Sequence, residues 1–218
     1  MYLLVKADDY KYSNLLDQSF RLRKRIFADR LGWRVSVSGP WERDRYDDHD
    51  PTYLLWCDDK FSQLYGSVRL MPTTGPTLLY DVFRDTFPDS CDLIGPGIWE
   101  GTRLCIDDEA VKRDLPNLSL HHAFSRLLLA LCEVALDIGI DTLVSNYEPY
   151  MKNIYRRAGV SFEELGRAEG FGRFPVCCGV FDVSLRVLLQ MRQKINCTEP
   201  LYRGSQSIRP KIPVAVPA

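Results

Sequence analysis

The sequence predicts a single α/β domain, a mixed twisted sheet with helices on both faces. Three observations lead there. Strand-like segments follow one another through the first half of the chain. Strand and helix patterns then alternate through the second half, which calls for helices packed on a sheet. The chain has 218 residues, 45% hydrophobic and 26% charged, the ordinary make-up of one globular domain with a substantial core. One domain over 1–198 is expected, followed by a proline-rich tail over 199–218 with four prolines.

The elements follow in order. Tyr2 to Val5 alternates briefly and reads as a short strand. A helix is expected over 13–30, stopped near Gly32. Ser36 to His49, with Gly39-Pro40 and many charges, reads as a loop. Thr52 to Cys57 and Leu64 to Met71 form a strand hairpin, and Pro72 to Pro76 breaks the chain. Ile98 to Asp107 is the central strand. Leu118 to Ile138 is a long helix, apolar almost all round and so buried on more than one side. Asn117 or Ser119 caps its start, and Gly139 stops it. Thr142 to Tyr147 is a strand and Tyr150 to Ala158 a helix ending at Gly159. Val160 to Leu165 and Pro175 to Val183 are the last strands, and Leu185 to Ile195 a terminal helix.

The first helix carries an anomaly. Stepping 100° per residue places Leu15, Leu16, Phe20, Leu22, Ile26 and Phe27 on one arc. Arg23 falls inside that arc. A guanidinium there is costly unless an anion meets it or its stem snorkels to water. The acidic run Glu42-Arg-Asp-Arg-Tyr-Asp-Asp-His-Asp50 is the nearest candidate, with Asp44 and Asp47 as the carboxylates facing Arg23.

The central strand carries a second one. Glu100 alternates with Ile98 and Thr102, whereas Arg103 alternates with Trp99 and Cys105. The two charges would face opposite sides unless a bulge, expected at Gly101, re-aims one of them. Arg69 shares its strand face with Tyr65 and Ser67, and a surface arginine is the plain alternative there.

Composition removes several classes of function. A net charge of −1 gives no basis for a nucleic-acid or anionic-membrane partner. No apolar run reaches the roughly 18 residues of a spanning helix. The N-terminus lacks the pattern of a secretory signal, so a cytoplasmic location is expected. The seven cysteines form no C-x-x-C pair and read as reduced core residues. His49, His121 and His122 do not make a ligand set, and no metal is expected.

Five blocks together resemble a known family. They are Leu22-Arg-Lys-Arg-Ile-Phe27, Arg30-Leu-Gly-Trp33, Glu42-x-Asp44-x-Tyr46-Asp47, Ser67-Val-Arg69-Leu-Met-Pro-Thr-Thr74 and Trp99-Glu100-x-Thr-Arg103. In this order and spacing the chain looks like the acyl-homoserine-lactone synthases, the LuxI-type autoinducer synthases, from about Leu15 to Gly166. The resemblance implies an N-acyltransferase-like (GNAT-like) fold. The pyrophosphate loop of that wider superfamily is missing, because Ala110-Val-Lys-Arg-Asp-Leu-Pro116 holds no glycine.

The resemblance also implies the chemistry. The α-amine of S-adenosylmethionine attacks an acyl thioester carried by acyl carrier protein or coenzyme A. The methionine carboxylate then closes on the γ-carbon and expels methylthioadenosine. No permanently bound cofactor is implied, and the quorum-sensing product acts on a separate receptor.

Glu100 is then the candidate base, and Arg103 a carboxylate clamp or a brace for the acidic loop. Arg23, Phe27, Trp33, Asp44, Asp47 and Arg69 are the candidate S-adenosylmethionine residues. Phe83, Thr102, Val144, Tyr147 and Tyr150 are the candidate acyl pocket. Between Ser145 and Met151 the sequence Asn-Tyr-Glu-Pro-Tyr departs from the commoner Ser-x-x-Met pattern. It looks closer to members that take branched or aromatic acyl groups from coenzyme A. The basic residues Arg21, Lys24, Arg25, Lys112 and Arg113 suit either an acidic carrier protein or a coenzyme A phosphate. The rival readings are an N-acyltransferase acting on another amine and a non-catalytic binder of S-adenosylmethionine or acyl groups.

Overall fold

The computed structural model describes residues 1–204. A seven-stranded sheet in the order β1-β4-β5-β6-β7-β9-β8 forms its frame. The strands are β1 (Tyr2–Lys6), β4 (Thr52–Cys57), β5 (Leu64–Pro72), β6 (Ile98–Ile106), β7 (Thr142–Tyr147), β8 (Phe162–Ala168) and β9 (Val176–Asp182). Only β6 and β7 pair in parallel; every other neighbouring pair is antiparallel.

That parallel pairing is short. Its rungs run from Ile98↔Thr142 to Glu100↔Val144. Beyond Glu100 the two strands have no rung between them, so the middle of the sheet opens towards the ends of β6 and β7. Ser145 Oγ donates to the Gly101 carbonyl at 2.7 Å just past the last rung.

The helices lie on both faces. One face carries α3 (Asp108–Asp114), α4 (Leu120–Asp137), α5 (Met151–Ala158) and α6 (Leu185–Ile195) over the larger apolar core. Val68 and Leu70 of β5 join Leu127 and Leu129 of α4 in that core. Ser119 is the N-cap of α4, its side chain accepting from the His122 N–H. The helix α3 was not expected. Its signal is legible in hindsight: Asp107 caps Ala110 N–H, acids fill the first turn, and Lys112 and Arg113 fill the last.

The opposite face carries α1 (Ser13–Arg23) and the short α2 (Leu78–Asp81). The first helix is not α-helical to residue 30. From Lys24 to Arg30 it widens into a π turn, a form often found at functional sites. Gly32, with φ +68°, supplies the left-handed residue that ends it. The chain then doubles back, and Trp33 N–H donates to the Phe27 carbonyl at 2.8 Å. The expected loop of residues 36–49 holds a small hairpin, β2 (Val37–Ser38) with β3 (Trp41–Glu42), and a 3-10 turn over Arg45–Asp48.

At the far end, Leu201 and Tyr202 N–H groups donate to the Glu133 carboxylate, and Tyr202 bridges to Tyr2. The rest of the expected tail, residues 205–218, lies outside the described residues.

Candidate functional site

Six charged side chains from five elements meet under the α1 face. Arg23 comes from the end of α1, Arg69 from β5 and Arg103 from β6; Glu42 comes from β3, and Asp44 and Asp47 from the 3-10 turn. Arg23 donates from Nε to Glu42 at 2.5 Å and from both Nη atoms to Asp47 at 2.8 Å. Arg69 donates to Asp44 at 2.5 and 3.1 Å, and its Nη1 lies 2.9 Å from Asp47. Arg103 donates to Glu42 at 3.0 and 2.9 Å and to Asp44 at 2.9 Å. The charges balance three against three.

This lattice answers the anomaly in helix one. Arg23 is buried, and its partners are Glu42 and Asp47, while Asp44 serves Arg69 and Arg103 instead. Glu42 was missed as a site residue, although it heads the acidic run. Burial opposes the Arg23 charge, but the Asp47 hydrogen bond and the charges of Glu42 and Asp47 outweigh it and raise its pKa. Burial likewise opposes the Asp47 charge, but Arg23 and Arg69, with a Tyr53 hydroxyl donating at 2.7 Å, hold it well below the usual carboxylate range. The 3-10 turn is itself fixed by a capping box between Asp44 and Asp47.

The bulge sits elsewhere than expected. The β5–β6 register passes from Ser67↔Cys105 to Arg69↔Thr102, so two residues of β6, Arg103 and Leu104, stand opposite Val68. Arg103 takes φ +56°, costly for a non-glycine residue and typical of a functional constraint. The bulge lies at Arg103, not Gly101, and it turns Arg103 to the face that Glu100 and Thr102 share. There Arg69 Nε donates to Thr102 Oγ1 at 3.0 Å.

Aromatic rings stand beside the lattice. Phe27 and Trp33 have centroids 5.6 Å apart, and Phe83 meets Trp33 edge-on at 6.1 Å. The Arg103 guanidinium lies over the Phe27 ring at 5.3 Å. These rings, with Thr102, Arg103, Tyr147, Glu148 and Tyr150, line a cavity of about 140 Å³ in the opening between β6 and β7. A second, apolar cavity of about 60 Å³ lies beside it, between Leu131, Leu143, Val183 and Met191. The two share Leu104, Ser145 and Tyr155 as lining.

Of the expected acyl-pocket residues, Phe83, Thr102, Tyr147 and Tyr150 line the larger cavity. Val144 does not. It is buried with Leu79, Phe87 and Cys178 on the Glu100 side of the sheet.

Glu100 lies at the last rung before the strands part, with no exposed surface. One carboxylate oxygen accepts from Leu78 N–H at 3.1 Å, and the other, Oε1, has no partner. Burial pushes its pKa up to about 7, against the opposing pull of the Arg69 charge, the Leu78 and Leu79 N–H groups and the Arg103 charge. That is the range of a working acid–base group at neutral pH.

The basic residues expected to dock a carrier all have acidic neighbours. Arg21 meets Asp17, Lys24 meets Asp29, Arg25 meets Asp107, Lys112 meets Asp108 and Arg113 meets Asp114. All seven cysteines are free thiols, five of them buried. Among the described residues no His, Cys, Asp and Glu group is arranged to hold a metal ion. None of the described helices is long and apolar enough to cross a membrane.

A family model described as autoinducer synthase matches residues 8–188. An acyl-homoserine-lactone synthase of Rhizobium etli is 40% identical over 171 residues, 77% of each chain. One of Agrobacterium fabrum is 33% identical over 178 residues, 81% of this chain and 83% of its own. Among solved structures, the CoA-dependent acyl-homoserine lactone synthase BjaI, with SAM and isopentyl-CoA, superposes with a TM-score of 0.79. It is 26% identical, over 92% of this chain and 91% of that one.

Proposed function

The chain belongs to the autoinducer synthase family and is an acyl-homoserine-lactone synthase; on that premise we propose how its residues perform the reaction. S-adenosylmethionine binds in the cavity between β6 and β7, with its adenosine against the Phe27, Trp33 and Phe83 rings. Arg103 is the lattice arginine that also lines this cavity, so it is the one available to the methionine carboxylate. Arg23 and Arg69 act behind it. Arg23 donates to Glu42 and Arg69 to Asp44, and these two carboxylates in turn hold Arg103.

The acyl thioester enters the same opening, its acyl group pointing into the apolar cavity past Leu104 and Tyr155. The α-amine attacks the thioester carbonyl. A C–N bond forms, the C–S bond breaks, and the thiol leaves. The amine must shed a proton, and Glu100 takes it through the unpartnered Oε1, directly or by way of a water. The methionine carboxylate oxygen then attacks the γ-carbon; the bond to the sulfonium breaks, and methylthioadenosine departs.

One observation carries this reading. Glu100 is fully buried where the strands part and has one oxygen free of partners, and burial pushes its pKa up to about 7. The small apolar cavity favours a short, branched or aryl acyl group over a long straight chain. Coenzyme A and acyl carrier protein remain the two donor classes. We place the enzyme in the cytoplasm with its substrates, and its product acts on a separate receptor.

The test supplies S-adenosylmethionine with isovaleryl-, benzoyl- and octanoyl-CoA or the matching acyl carrier proteins, and reads methylthioadenosine release. Glu100→Gln should cut that release at least 100-fold, the usual minimum for losing a positioned base. It should leave S-adenosylmethionine binding intact. An unchanged rate removes Glu100 from the mechanism. Acyl transfer to another amine without methylthioadenosine favours a general N-acyltransferase.

A further inference from the structure

One carboxylate that lines the cavity has no task in the reaction above. Glu148 follows directly on β7 and is 3% exposed. Its Oε1 accepts from the Trp33 indole N–H at 2.6 Å, and its Oε2 is buried without any partner. An unpartnered buried carboxylate oxygen is expensive, and such groups are retained where a ligand completes them.

No side chain of the cavity wall donates to that oxygen, and Arg30, the cation lining the cavity beside Arg103, is tied to Asp108 at 3.0 Å. Nor is the missing donor the reacting amine. Glu148 lies four residues beyond Val144, the partner of Glu100, just past the end of β7, a backbone spacing of about 13 Å at the rise of a strand. The donor therefore belongs to the far end of the substrate.

Trp33 indicates which end. A carboxylate bonded to the indole N–H lies near the plane of that ring. A base stacked on the ring brings its edge beside the carboxylate. We propose that Glu148 Oε2 accepts a hydrogen bond from the exocyclic amine of adenine, so that Glu148 reads the nucleoside of S-adenosylmethionine. This rests on the placement of adenosine against Trp33 given above. Glu148 is then a specificity-determining residue, remote from the reacting atoms. Its shared bond to Trp33 sets the ring and reads the base with one carboxylate.

Methylthioadenosine carries the nucleoside without the methionine half, so its binding reads this contact alone. Calorimetric titration compares it with methylthioinosine, in which a carbonyl replaces the amine. The wild-type protein should bind methylthioadenosine at least tenfold more tightly. In Glu148→Gln the side-chain amide offers a donor to the carbonyl, and that preference should fall at least tenfold. Glu148→Ala should lose the preference as well, and a circular-dichroism melt reports whether each variant is folded.

A wild-type preference retained in folded Glu148→Gln overturns this proposal alone. So does an equal loss of both nucleosides, which would mark a ribose contact or a purely structural hold on Trp33. A wild-type protein that releases methylthioadenosine in turnover but shows no nucleoside preference also overturns it. Failure of the wild-type protein to bind either nucleoside would remove the adenosine placement itself and this proposal with it.

Discussion

Val68 and Leu70 of β5 join the apolar core beneath α4, while Arg69 between them meets Asp44 and Asp47 on the other side. Neighbouring residues of one strand thus enter two different kinds of interior. On the α4 face, stability comes from non-directional burial, in which each side chain contributes through area and fit. On the α1 face, buried guanidinium and carboxylate groups must each find the other. A charge taken from water recovers its desolvation cost only when geometry and remaining hydrogen bonds are satisfied. The first face can absorb a lost methyl group by partial relaxation. The second responds to a lost carboxylate with stranded charge, and it is the face that holds the reacting groups.

Glu42 tests the difference most severely, because it alone bridges Arg23 and Arg103. Glu42→Ala should destabilise the protein by about 3–5 kcal/mol, the cost of breaking a buried ion pair from one side. Urea denaturation reads that loss. Methylthioadenosine release per folded molecule should also collapse, since Arg103 loses its brace. A cost below about 1 kcal/mol, the level of an exposed pair, would mean that water reaches the lattice and the contrast between faces is false.

Leu129→Ala is the matching change on the other face, at a side chain with no exposed surface. It should cost about 2–5 kcal/mol, depending on how far α4 settles into the space. Turnover per folded molecule should stay near the wild-type value. A fall in turnover exceeding the loss of folded protein would show that the faces are coupled through the sheet.

The same contrast explains what could be read from the sequence. Apolar periodicity located β4, β5, β6, α4 and α6 to within a few residues, because burial alone dictates those patterns. Arg23 was legible as an exception to such a pattern. Its partners were not, since no periodicity says which acid of a run meets it, and Glu42 emerged only from the fold. The π turn after Arg23 left no local signal, and its place follows from packing. The bulge was inferable from the clashing parity of Glu100 and Arg103. Its position was not, because the left-handed conformation falls on Arg103 and not on the adjacent glycine pattern. Glu148 is visible in the sequence only within the departing segment Asn-Tyr-Glu-Pro-Tyr, and its bond to Trp33 spans 115 positions of sequence.

The lattice face also predicts a pH effect of opposite sign to ordinary acid denaturation. Glu100 is raised from 4.5 to about 7 on folding. Between those values the folded protein holds a proton that the unfolded chain has released. By linkage, its contribution to stability falls as pH rises through that window. Glu100→Gln removes the effect. The variant should therefore gain on wild type as pH climbs from 5 to 8, approaching about 3 kcal/mol if the full shift holds. Asp47, whose pKa is depressed, behaves conversely: its contribution is present above the unfolded value and is lost only in more acid solution. A constant stability difference between variant and wild type over pH 5–8 would show that Glu100 titrates normally.

The smallest effect is expected at the outer surface of α1. Arg21 pairs with Asp17 and Lys24 with Asp29, but these pairs stand in water, where solvent and salt screen them. Arg21→Ala should leave the melting temperature unchanged within measurement, in contrast to any change at the buried Arg23. It also separates the two donor classes. A coenzyme A thioester meets the opening between β6 and β7, so its KM should not move. An acidic carrier protein would need a basic landing surface, and long-range attraction does not require the arginine to be free of Asp17. A KM raised several-fold for the carrier-bound donor alone would assign this face to docking and give the α1 surface a role independent of the lattice beneath it. No change with either donor would confine the function of α1 to its buried side, where Arg23 is.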